Sequence, residues 1–264
     1  MKFSCCIEMI FTEVEFIKRF EAAKKAGFDY VEFWNWDNKD IPAIKRELQN
    51  TGLKMAALQG NGRGRMVDKN DHAIYLEDVK KGIDIAAELG SLNAFVMSDI
   101  LQEDRTVKPM DHPISDEEKR ENTISILHEI APIAKAAGVT MVIEPLNIYV
   151  DHKGYSLYNT APGADIINEI NHPNIRLLYD AYHMQIMEGN ICENIKAHHK
   201  TFGHFHIADV PGRFQPGTGE LNYVNILKTL KGVGYDRVVG WEFEPTGGSS
   251  EQVAKDTFAL LNSV

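Results

Sequence analysis

Four short stretches of this sequence carry side chains that can bind a cation. "IEPLN" (143–147) holds Glu144, "YDAYH" (179–183) holds Asp180 and His183, "GHFHIADVPG" (203–212) holds His204, His206 and Asp209, and "GWEFEP" (240–245) holds Glu242 and Glu244. Residues two apart on a strand point to the same side and differ in height. His204 and His206 therefore share a direction, as do Glu242 and Glu244, and each strand offers one best ligand. Glu144, Asp180, His206 and Glu242 form a set of three carboxylates and one imidazole. Such a set suits one divalent ion, Mn²⁺ or Mg²⁺ first, with Co²⁺ or Zn²⁺ as alternatives, and leaves room for water or substrate. Taken singly, each residue has a plainer use. An acid at a strand end can cap the next helix, a histidine on an apolar strand is often a hydrogen-bonded core residue, and Glu242 could pair with a lysine or arginine. Taken together they call for a cation, because burying three carboxylates side by side is costly.

The elements that must position these residues alternate along the chain. Strand-like runs fall at 3–11, 30–34, 54–59, 92–97, 140–146, 175–180, 202–209 and 237–244. Amphipathic stretches follow them: 13–26, with Phe16, Ile17, Phe20 and Ala23 on one face, then 41–51, 71–89, a helix opened by Ser115 and ended at Gly138, 160–170, 190–200, 222–232 and 250–262. Thr12 with Glu15, and Ser115 with Glu118, have the spacing of capping boxes. Pro42 in a first turn and Gly52 just past an end mark the second helix. Eight strand–helix units without a linker imply a parallel sheet closed into a single-domain (β/α)₈ TIM barrel over residues 1–264. A doubly wound open sheet ordinarily carries a glycine-rich first turn, and here that turn is "EMIFTE". In a barrel of this kind the active site forms at the C-terminal ends of the strands. The candidate ligands lie at the ends of the fifth to eighth strands, and the long loops after strands four, five and seven share that face.

Bulk properties exclude some partners. The chain has 264 residues, 25% charged and 44% hydrophobic, with a formal net charge of −10. That charge argues against nucleic-acid binding through phosphate neutralisation. No apolar segment approaches a membrane span. Three cysteines, Cys5, Cys6 and Cys192, make no disulfide framework, and the simple inference is a cytoplasmic protein. Other candidates are single residues. Arg213, in the loop after the seventh strand, could hold a substrate oxygen or remain solvated. "GNGRGR" (60–65) lacks phosphate-loop spacing and reads as a flexible active-site loop. Glu8 either lines the barrel mouth or faces a surface arginine, and Trp34 and Trp36 either wall the pocket or simply pack.

Several of these stretches resemble a known family. "IEPLN", "DHKGY" (151–155), "LLYDAYHMQIMEGN" (177–190), "GHFHIADVPGRFQPGTGELNY" (203–223) and "GWEFEP" are similar to the hydroxypyruvate isomerase family, and "FTEVEFIKRFEAAKKAGFDYVEF" (11–33) fits that family's opening. The family belongs to the xylose-isomerase-like barrels, with ketose 3-epimerases and endonuclease IV. The resemblance implies that Glu144, Asp180, His206 and Glu242 coordinate one divalent metal. It also implies that Glu144 and Glu242 act as the acid–base pair, and that His183 and Arg213 contact substrate oxygens. Hydroxypyruvate isomerases usually carry glutamine where this chain has His206, and histidine there is the ketose 3-epimerase pattern. The "GNGRGR" loop departs from the isomerases as well.

The chemistry expected is proton transfer beside a carbonyl in a small sugar or hydroxy-keto acid. A Lewis acid stabilises the enediolate left when a proton is lost from carbon. Returning a proton to the neighbouring carbon isomerises, and returning it to the opposite face of the same carbon epimerises. Glu242 is the favoured initial base. Hydrolysis of a phosphodiester, as in endonuclease IV, would need several metals, and a non-catalytic sugar-binding barrel would need no glutamate pair. A homo-oligomer is left open.

Overall fold

The computed structural model describes residues 1–262. Eight parallel strands close into a barrel in chain order: β1 (Lys2–Cys6), β2 (Tyr30–Phe33), β3 (Lys54–Gln59), β4 (Asn93–Val96), β5 (Thr140–Ile143), β6 (Ile175–Asp180), β7 (Phe202–Ile207) and β8 (Val238–Trp241). β8 returns to β1 through the register Lys2↔Val238 to Cys5↔Trp241, which removes both sheet edges. Outside them run α1 (Arg19–Ala26), α2 (Ile41–Thr51), α3 (His72–Glu88), α4 (Asp116–Ala137), α5 (Thr160–Ile170), α6 (Ala181–Met187), α7 (Ile191–His198), α8 (Tyr223–Gly232) and α9 (Ser250–Leu261). None of these helices is long and apolar enough to cross a membrane.

Local chemistry sets most of the boundaries. The Asp40 side chain accepts from Ala43 N–H at 2.9 Å and caps α2. Ser115 accepts from Glu118 N–H at 3.2 Å and caps α4. Gly52 and Gly138 end those two helices with φ of 69° and 72°, in the left-handed region that glycine enters without steric cost.

Three expectations are corrected. The first apolar run ends as a strand at Cys6, and residues 7–11 form turns and bends. The Thr12–Glu15 capping box does not form. Glu15 precedes a 3₁₀ turn, Phe16–Lys18, without a side-chain cap, and the regular helix starts only at Arg19. Glu13 bonds instead to the N-terminus of α9, accepting from Ser250 N–H (3.1 Å) and Oγ–H (2.8 Å), and Phe11 N–H donates to Ser250 Oγ (2.9 Å). Third, a helix that the periodicity did not predict, α6, directly follows β6. Ala181, Tyr182, His183 and Met184 are all buried, so no amphipathic stripe betrays it.

The interior of the barrel is divided. On the β3–β6 side, Ala57, Phe95, Val142 and Leu178 form an apolar cluster against Trp34 and Met97. On the β7–β2 side the inward positions are polar: Ser4, Glu32, His204 and His206, all buried. The main apolar core lies between sheet and helices. Cys5 and Cys6 are buried free thiols.

Candidate active site

Glu144 sits one residue past β5, Asp180 ends β6, His206 lies near the end of β7, and Glu242 is one residue past β8. One donor atom from each of the four lies within 4.8 Å of the others, and all four side chains are buried. His206 Nδ1 is 3.2 Å from Glu242 Oε2 and 3.8 Å from Glu144 Oε1. Asp180 does two jobs. Its Oδ1 accepts from Tyr182 N–H at 2.8 Å, capping α6, while Oδ2 lies 3.4 Å from Arg213 Nη2 and 3.7 Å from His183 Nε2. Glu244, two residues past Glu242, is exposed and outside the cluster, because β8 has ended and strand alternation no longer holds.

Arg213 reaches into this cluster. Its Nη2 donates to Glu242 Oε2 in a very short contact and lies 3.4 Å from Asp180 Oδ2. The guanidinium stacks over the Tyr182 ring, 5.1 Å from its centre. Arg213 has φ 58°, a left-handed conformation that costs a non-glycine residue about 1–2 kcal/mol. Asp209 holds the loop in that shape. This buried carboxylate accepts from the N–H groups of Val210 (3.0 Å), Gly217 (2.8 Å) and Leu221 (3.0 Å).

His183 is oriented from behind. Its Nδ1 accepts from Asn147 N–H at 3.1 Å, which places its proton on Nε2, 3.7 Å from Asp180 Oδ2. Asn147 is itself fully buried, and its Oδ1 accepts from the N–H groups of Val150 and Asp151, both at 3.0 Å. Trp34 Nε1–H donates to Glu242 Oε1 at 2.7 Å. A cavity of about 470 Å³ opens above these groups, lined by Trp34, Asn61, Arg105, His152, His183 and Arg213 among others. The "GNGRGR" loop forms part of its wall and is fastened rather than free. Asp78 accepts from Gly62 and Arg63 N–H (2.7 and 3.0 Å), and buried Arg65 pairs with Asp71 at 3.0 Å. Glu8 lies apart from the ligands, paired with Lys39 at 2.9 Å rather than with an arginine, and Trp36 packs on the core.

The electrostatics are those of crowded, dry carboxylates. Burial, then the Glu242 charge, pushes the Glu144 carboxyl well above its usual range. Burial pushes Asp180 up to about 6 although Arg213 and His206 oppose it. Burial raises Glu242 as well, but His206 and Arg213 outweigh it and hold that carboxyl well below its usual value. Burial, then Arg213, takes His183 well below the ordinary imidazole range, so it is a neutral N–H donor. A divalent cation fits this set. Glu144 Oε1 and His206 Nδ1 are buried without a hydrogen-bond partner, and both belong to the four converging donors.

Sequence reasoning overlooked two residues that shape the site, Glu32 and Asn147, and saw Asp209 only as a side chain able to bind a cation, whereas it anchors the loop that carries Arg213. Glu32 left a readable signal. It sits in the apolar run "YVEFW" with the parity of Trp34, and so points into the barrel. Asn147 and Asp209 act through backbone bonds within long loops and leave no periodic trace.

The eight-stranded barrel with acids and an imidazole at its strand ends matches the family described as xylose isomerase-like TIM barrel over residues 20–264. The chain belongs to that family. It is 29% identical over 259 residues to the 2-oxo-tetronate isomerase of Cupriavidus necator, covering 94% of this chain and 95% of that one. It is 28% identical over 252 residues to the hydroxypyruvate isomerase of Escherichia coli, covering 93% and 94%. These relatives, matched along nearly their whole length, mark the chain as an isomerase. In fold it superposes on the crystal structure of a Brucella melitensis protein described as an AP endonuclease of family 2, with TM-score 0.88, 28% identity and 98% coverage of both chains.

Proposed function

We propose that the chain isomerises a small hydroxy-keto acid by moving a proton between neighbouring carbons, at a site where Glu144, Asp180, His206 and Glu242 hold one divalent cation. The observation that carries this reading is the convergence of those four buried donors, of which the two glutamates, Glu144 and Glu242, line the cavity. Three carboxylates and one imidazole suit Mn²⁺ or Mg²⁺, and tolerate Co²⁺ or Zn²⁺. When bound, such a cation supplies Lewis-acid stabilisation of the negative charge that develops on substrate oxygens.

The chain's own residues do the rest. Glu242, fixed by Trp34 and Arg213, takes the proton from the carbon beside the carbonyl, and the electrons of that C–H bond pass toward the carbonyl oxygen. Glu144 returns a proton to the former carbonyl carbon, the proton of the neighbouring hydroxyl passes to the former carbonyl oxygen so that the carbonyl moves one carbon along, and exchange with solvent resets the two glutamates. Arg213 and the Nε2–H of His183 donate to substrate oxygens and set its orientation, and their positive and dipolar ends suit a carboxylate. Trp34 and the loop after β3 limit water on one side of the cavity.

Epimerisation of a ketose is the second reading, favoured by His206, because histidine at this place is the ketose 3-epimerase pattern. Phosphodiester hydrolysis has less support. Among the described residues the only other candidate metal group, Glu32 with His204 and His206, shares His206 with the first. The deciding experiment incubates Mn²⁺-loaded protein in D₂O with hydroxypyruvate, 2-oxo-tetronate, ketopentoses and ketohexoses, followed by proton NMR. Deuterium entering an isomerised hydroxy-keto acid is the expected result. Turnover confined to C3 of ketoses would replace it with the second reading, and no exchange with any compound would overturn both.

A further inference from the structure

An acid inside a barrel needs a reason, and Glu32 has an unusual set of neighbours. It is 2% exposed, on β2, facing the polar half of the interior. Its Oε2 accepts from Ser4 Oγ–H at 3.2 Å and is 2.7 Å from His204 Nε2. Its Oε1 faces one group only, His206 Nε2, at 3.2 Å, and as they stand both atoms are buried without a hydrogen bond of good geometry. The other ring nitrogen of His206 points the opposite way, toward Glu144 and Glu242. β8 makes room for the pair. A Cβ on Gly240 would sit 2.3 Å from Glu32 Oε1 and 2.7 Å from His206 Cδ2, so a larger residue there would collide with both.

An imidazole can ligate a cation only through a bare nitrogen lone pair, and the proton then rests on the other nitrogen. Which nitrogen is bare depends on what that second nitrogen can bond to. Facing Nδ1 are the carboxylates of the site, and facing Nε2 is a carboxylate oxygen with no other donor to serve. We propose that Glu32 is a positioning residue: by accepting the Nε2 proton of His206 it fixes the tautomer and ring plane that present Nδ1 to the cation. Ser4 and His204 take part by occupying Oε2, which directs Oε1 at His206 alone. This inference rests on the cation reading of the site.

The test uses the full chain and Mn²⁺, Co²⁺ and Zn²⁺ as probes. Glu32→Gln keeps the size but sets an amide donor among three donors. Its dissociation constant for Mn²⁺, measured by calorimetry, should rise by about 10- to 100-fold, with a changed Co²⁺ visible spectrum and little change in the thermal unfolding of the metal-free protein. Against a His206→Ala background the same substitution should change affinity by less than about threefold, because the coupling acts through the imidazole. Glu32→Asp, which keeps the charge, should recover part of the loss. Nitrogen-15 NMR of the Zn²⁺-loaded native protein reads the tautomer directly, whether or not the variants fold. Nδ1 bound and Nε2 protonated supports the proposal, and the reverse overturns it. Native protein that binds no cation would end the cation reading itself. Native and Glu32→Gln proteins that bind equally would end only the role of Glu32.

Discussion

Glu144 and Glu242 are the same residue type in the same site, yet they have different surroundings, and the proposed reaction gives them different work. Glu242 accepts from Trp34 through one oxygen and meets Arg213 and His206 through the other. It is thus held ionised and its direction is fixed, which suits the proposed role of proton acceptor. Glu144 has an oxygen without a partner and no cationic side chain in direct contact other than His206 at 3.8 Å. Glu242→Gln should therefore abolish exchange of the substrate C–H with solvent deuterium, a loss of about 10²- to 10⁴-fold. Glu144→Gln should keep that exchange and lose net conversion. Manganese content measured on both variants separates a lost base from a lost ligand. Loss of exchange in Glu144→Gln alone would exchange the two roles.

At the scale of elements, the two capping-box signals in the sequence have different fates, and stability should reflect this. Ser115→Ala removes a formed cap from α4 and should cost about 1 kcal/mol in urea unfolding. Thr12→Ala touches an exposed residue whose box does not form and should cost close to nothing. Equal losses would mean that Thr12 caps the chain after all. The contrast explains what could be read in the sequence and what could not. Most helices were legible because each buries one side, so that hydrophobic period reports structure, and the strands because, buried on both faces, they read as short apolar runs between the helices. The placement of Glu144, Asp180, His206 and Glu242 was legible because a closed parallel barrel brings its strand ends together whatever the loops do. α6 was hidden because it is short and its first four residues, Ala181 to Met184, are buried in succession, which leaves no helical period to read. The Glu13–Ser250 contact was hidden because its partners are 237 residues apart and no local rule links them. Glu32 was readable in principle from strand parity, but its meaning came only with His204 and His206 beside it.

For the molecule as a whole, the proposed cation site ties folding to cation binding through the divided interior. The β3–β6 half is apolar and stabilises the barrel by burial alone. The other half and its rim bury the carboxylates of Glu32, Glu144, Asp180 and Glu242 with only Arg213 as a permanent positive charge. Desolvating those carboxylates opposes folding, and a divalent ion that binds the native chain alone offsets it by mass action. At 100 times its dissociation constant the gain is about 2.7 kcal/mol. With roughly 2–4 °C per kcal/mol for domains of about 150–250 residues, Mn²⁺ added to chelator-treated protein should raise Tm by about 5–10 °C. The same addition to Asp180→Asn should raise it by much less, whereas Ser115→Ala should start from a lower Tm and gain the full increment. The second comparison matters because it separates a ligand lost from stability lost: a cap variant shifts the baseline and an intact site still responds. No rise in Tm with millimolar Mn²⁺, Mg²⁺, Co²⁺ or Zn²⁺ would mean that the carboxylates are neutralised by protons rather than by a cation, and the function proposed for the barrel mouth would have to be abandoned.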